Sequence, residues 1–116
     1  MQQQGTIVGI DLKGKLEDIV IMSFEGIHDF NMKHGFILQC GCVQEEITTA
    51  GLDDFKKIMP GTQLEILSSR GTTTQSILLQ VQGIKKVLNR QQALICKIVT
   101  GGEYEIRNGS PIKILN

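Results

Sequence analysis

A chain of 116 residues with twelve basic and twelve acidic side chains and 41% hydrophobic residues has enough apolar surface for one core, and a single domain over residues 1–116 is expected. Four Phe, one Tyr, no Trp and no basic excess argue against a nucleic-acid interface. No apolar run approaches the roughly 20 residues of a membrane span, and Met1-Gln-Gln-Gln-Gly5 lacks the basic and apolar regions of a signal peptide, so synthesis in the cytoplasm is expected.

Most of the chain reads with period two. Val8, Ile10 and Leu12 alternate with Ile7, Gly9 and Asp11, giving a first strand that Gly14 ends. Ile19 to Met22 with Phe24 is apolar on both faces and predicts an inner strand closed by Gly26. A tight reversal at Gly35 then leads into a strand with Phe36, Leu38, Cys40 and Cys42 on one face. The period changes at Leu52, Phe55 and Ile58/Met59, where Asp53 and Asp54 come early and Lys56 and Lys57 late. That order suits a helix dipole and predicts a short helix near residues 51–59, stopped by Pro60-Gly61. Alternation resumes at Leu64 and Ile66, and after a polar turn at 69–74 a long strand runs from Gln75 to Val87, with a bend or bulge at Gly83. Residues 89–92 turn the chain. Leu94, Cys96 and Ile98 then share a face, Asn108-Gly109 marks another turn, and Ile112 and Ile114 form the last strand. The fold class is therefore mainly β: a small antiparallel β-barrel of six to eight strands with one short α-helix.

His28, His34, Cys40 and Cys42 are the residue types of a zinc site or a thiol centre. Their predicted setting points elsewhere. Cys40 and Cys42 share a strand face with Phe36 and Leu38, and Cys96 lies between Leu94 and Ile98, so all three read as buried, reduced core thiols without a metal. The histidines flank a predicted turn and lack a third orienting group. Asp53-Asp54 suits a helix start, and Glu45-Glu46 reads as solvated surface at a strand end. With no phosphate-loop, nucleophile-elbow or metalloprotease pattern, no catalytic, cofactor-binding or metal residue is assigned, and an enzyme is not expected.

The stretch Asn31-Met-Lys-His34-Gly35, then Gly61-Thr-Gln-Leu64-Glu-Ile66 and Leu79-Gln-Val-Gln-Gly-Ile84, resembles in order and spacing the first barrel domain of the phage late-control D and VgrG family, the hub proteins of contractile injection machines. The resemblance covers about two-thirds of the chain, from Phe24 to Ile106. Family members are normally several-fold longer, so it implies a lone hub-type barrel or an excised first domain. It further implies a structural role without cofactors, self-association into a ring (trimer or hexamer), and tail-tube and spike proteins as partners. The outward Gln80 and Gln82 of the long strand are the candidate contact surface. Two other readings compete: a small barrel that binds a peptide or protein through an open edge or groove, and a metal or thiol enzyme built on His28, His34, Cys40 and Cys42.

Overall fold

The computed structural model describes residues 4–52, 54–70 and 72–115. Its strands are β1 (Gln4–Ile10), β2 (Ile19–Ser23), β3 (Ile47–Ala50), β4 (Gln63–Arg70), β5 (Thr73–Val87), β6 (Gln91–Thr100) and β7 (Pro111–Leu115). They close into one barrel in the order β1-β3-β2-β6-β5-β4-β7. Strand makes up 49% and helix 13%, as the period-two reading expects.

Side-chain alternation decides the register. Ile77, Leu79 and Val81 of β5 point inward and are buried, while Gln82 faces solvent. They meet Ile7, Ile21, Ile47, Leu64, Leu94 and Ile112 from the other staves. Each fully buried aliphatic side chain contributes about 1.5–3 kcal/mol through removal from water. The ladder between β5 and β6 shifts register between Val81 and Gly83, so the predicted bulge is present.

One pair departs from the antiparallel rule. β2 and β3 run parallel, with Ile21 opposite Ile47 and Ser23 opposite Thr49. Parallel neighbours need a long crossover, and residues 24–46 supply it. The helix of the fold lies here: α1 (Phe24–His34). Phe24 and Gly26 therefore belong to a helix, and not to the end of a strand. Ser23 Oγ accepts from Gly26 N at 3.0 Å, capping the first turn. Glu25 sits at the positive end of the helix and Lys33 and His34 at the negative end. Gly35, at φ 71°, closes it, its amide donating to Asn31 O at 2.9 Å. Gly26 lets the helix approach the barrel, because a β-carbon there would lie 2.8 Å from the Met22 side chain.

The strand expected from Phe36 to Val43 is not formed. That segment is irregular, and Phe36, Ile37, Cys40 and Cys42 are exposed. Asn31 holds its start: Nδ2 donates to Leu38 O at 2.9 Å and Oδ1 accepts from Leu38 N at 3.0 Å. The helix expected near residues 51–59 is a single 3₁₀ turn, Phe55–Lys57. Asp53, read as part of its start, lies outside the described residues. Leu52, Phe55 and Ile58 are buried all the same and join the main core. Among the described residues no helix is long and apolar enough to cross a membrane.

Candidate functional site

After Leu38 the chain makes two successive turns, with Cys42 N donating to Gln39 O at 3.1 Å and Gln44 N to Gly41 O at 2.9 Å. Gly41, at φ 92°, takes the left-handed position that the first turn requires. Below these turns lies Glu45, only 6% exposed. Its carboxylate accepts from Gly41 N at 2.9 Å, Val43 N at 3.2 Å and Thr48 Oγ1 at 2.7 Å. Glu46 reaches the other way, accepting from Val20 N at 2.7 Å and pairing with Lys15 at 3.4 Å. The two acids are thus the ties that bind the crossover to the barrel, and the expectation of solvated surface is corrected. A carboxylate pointed inward can collect loop amides that no backbone ladder satisfies.

Beside these ties a polar cleft of about 750 Å³ is lined by Asp11, Lys13, Cys40, Gln44, Glu45 and Glu46 among others. Two of its carboxylates are matched, Asp11 by Lys13 at 3.5 Å and Glu46 by Lys15, while that of Glu45 is held by its three neutral donors. The cleft therefore presents matched ion pairs beside an exposed thiol.

The structure distributes the sequence candidates. His28 and His34 both lie exposed on α1, and not at a turn. Phe24 stacks on His28 at 6.2 Å, and Phe30 meets His34 at 4.6 Å and Phe36 at 5.6 Å. Among the described residues no group of three His, Cys, Asp or Glu is poised around a metal position. Cys96 is buried as expected. Cys40 and Cys42 are not, because the strand that would have turned them inward is absent. Burial and then the neighbouring Glu45 charge push the Cys42 thiol above its ordinary range, the opposite of what activates a nucleophile. Burial pushes Cys96 up to about 12.

These positions set an expected labelling pattern. In native protein at mildly alkaline pH, a disulfide reagent titrates two thiols, Cys40 and Cys42, and reaches Cys96 only after denaturant is added. Prompt reaction of three thiols would show that the β2–β6–β5 wall opens.

A further feature, on α1 and the chain after it, is apolar. Phe24 is 45% exposed, Met32 72%, Phe36 54% and Ile37 89%. Sequence reading missed it because it placed Phe36 inside the core and Phe24 in a strand. The signal was present in Ser23, Glu25 and Gly35, which bracket a helix with Phe24, His28 and Met32 at spacing four. No family model, curated protein or solved structure matches the chain.

Proposed function

We propose that the protein is a non-enzymatic structural component that works by assembly: a hub- or baseplate-like barrel of a contractile tail or related injection apparatus, associating with copies of itself and with tube and spike proteins. The observation that carries this reading is the exposed apolar surface of α1 and the chain just after it. Phe24, His28 and Met32 follow at spacing four, so they line one face of the helix, and Gly26 and Ile27 occupy the buried one. Single exposed hydrophobics are ordinary, whereas several large ones on one element and its continuation mark an interaction face.

Closure of the sheet supports assembly through faces over peptide capture at an edge. All seven strands have neighbours on both sides. Beyond Gln80, β5 loses β4 as partner, and the stretch that follows carries the exposed Lys85 and Lys86, which discourage strand addition. The segments that resemble hub barrels at Gly61 to Ile66 and Leu79 to Ile84 fall on or beside β4 and β5, two adjacent staves. Gln82 is exposed there and Gln80 half-buried.

Light scattering coupled to size exclusion tests this. The protein is expected to self-associate at raised concentration, and Ile37→Glu combined with Met32→Glu to return it to a monomer with unchanged circular dichroism. Strict monomer behaviour in the unsubstituted protein, with no association on adding tail-tube protein, would overturn the proposal.

A further inference from the structure

The chain is formally neutral, yet folding sorts its charges. Lys13, Lys15, Lys33, Lys57, Arg107 and Lys113 all have carboxylate partners. Among the described residues no ion pair is formed by Lys56, Lys85, Lys86, Arg90 or Lys97. Four of these lie on the β5–β6 hairpin or its tip. The fifth, Lys56, is on the 3₁₀ turn, and Gln92, next to the tip, ties the end of that turn to the hairpin by donating Nε2 to Ile58 O at 3.0 Å.

Between the hairpin tip, the 3₁₀ turn and the end of α1 is a cavity of about 340 Å³. Asp29, Phe30, Lys33, Lys56, Arg90 and Gln91 are among its lining residues. The Asp29 carboxylate is occupied from within: Lys33 Nζ lies at 3.1 Å and Gln91 Nε2 donates at 3.0 Å. Those two contacts, with the nearby charges of Lys33 and Lys56, hold its carboxyl below the usual carboxylate range, so it stays ionised. Set against this one carboxylate are Lys33, Lys56 and Arg90, which leaves a net of two positive charges lining the cavity from different elements. Arg90 is held there by an unusual backbone. Leu88, Asn89 and Arg90 have φ of 47°, 53° and 92°, three successive left-handed residues without a glycine. Leu88 and Arg90 each cost about 1–2 kcal/mol in this region and Asn89 less, and such strain clusters at ligand clamps and other functional sites.

We infer that this cavity is an anion site for a doubly charged phosphate group. A net of two positive charges matches the charge of about −1.5 to −2 that a phosphate monoester carries at neutral pH, and the arginine fork can hold two of its oxygens. A single carboxylate would leave one cation unmatched. The volume exceeds that of a bare phosphate and falls at the small end of organic-ligand pockets, which begin at about 300 Å³. Phe30, held by its contacts with His34 and Phe36, offers an apolar wall to the group esterified to the phosphate. Lys85 and Lys86, exposed on the hairpin, add long-range attraction that salt will screen.

Titration calorimetry with inorganic phosphate, pyrophosphate and adenosine monophosphate as separate probes tests the site. Saturable binding that Arg90→Ala and Lys56→Ala each weaken at least tenfold, with circular dichroism unchanged, is the expected result. Equal affinity for inorganic phosphate and the monoester identifies free phosphate as the ligand. Tighter monoester binding that Phe30→Leu removes identifies a phosphorylated small molecule. No binding of any probe at millimolar concentration, or binding that survives both cation substitutions, would overturn the inference.

Discussion

Glu45→Ala is expected to lower the unfolding free energy by about 3 kcal/mol, with the loss readable as a shift in urea midpoint at constant slope. Three donors converge on this buried carboxylate, two of them loop amides and one the Thr48 hydroxyl. Leaving a buried donor without an acceptor costs about 1–3 kcal/mol. Part of the sum is recovered because the substitution also relieves the desolvation of the charge. Glu45→Gln refines the test. Its single amide oxygen can replace Oε2, which serves Gly41 N and Thr48 Oγ1, but its NH₂ then faces Val43 N, donor against donor. A loss of about 1–2 kcal/mol is expected there. A second readout separates a local effect from general weakening. Glu45 helps hold the Cys42 thiol above its ordinary range, so Glu45→Ala should bring that thiol down and speed its labelling while Cys96 stays protected. Unchanged Cys42 reactivity together with an unchanged midpoint would refute the account of the loop.

Gly101→Ala is expected to be worse, costing more than about 3 kcal/mol or abolishing folding. Gly101 sits at φ 82° just beyond β6, where a β-carbon would lie 2.5 Å from Ser76 O and 3.0 Å from Ile77 Cα. Both are backbone atoms of β5, so relief requires the strand itself to move. Gly35→Ala is the matched control. Its φ is 71°, but a β-carbon there meets nothing within 4 Å. It should cost only the left-handed penalty of about 1–2 kcal/mol. Thermal or urea unfolding of the two variants side by side isolates the steric part. Equal losses would show that the close approach at Gly101 is relieved without cost.

The barrel was legible because its walls obey a simple rule. Inward and outward residues alternate in β5, and Ile77, Leu79 and Val81 are all buried. The helix was less so. α1 buries only Gly26 and Ile27 fully, so its apolar stripe is narrow, and the run Ile19 to Met22 before it continues smoothly into Phe24 as if still extended. Leu52, Phe55 and Ile58 recur every three residues, which is the period of a 3₁₀ turn rather than of an α-helix. That they were buried could be read; how the backbone delivered them could not. Glu45 gave no local signal, since its role depends on turns that bring Gly41 and Val43 over it. Lys56 and Arg90 stand 34 positions apart in the chain, and only barrel closure brings them to one cavity.

The seam of the barrel joins its first described strand to its last, with Gln4 opposite Lys113, Gly5 opposite Ile112 and Thr6 opposite Pro111. β4 also takes β7 as its second neighbour, through Gln63 and Leu115 to Ile66 and Ile112. Translation therefore delivers β1 long before its partner. At about 5–20 residues per second, the hundred or so residues between them take roughly 5–20 s, whereas a hairpin such as β4–β5 closes in about 1–10 μs. For those seconds the free row of backbone donors and acceptors on β1 stands open on the nascent chain, joined by that of β4 once β4 has been made. The hazard this topology creates is one of timing: pairing with a neighbouring nascent copy competes with closure until Pro111 to Leu115 has left the ribosome.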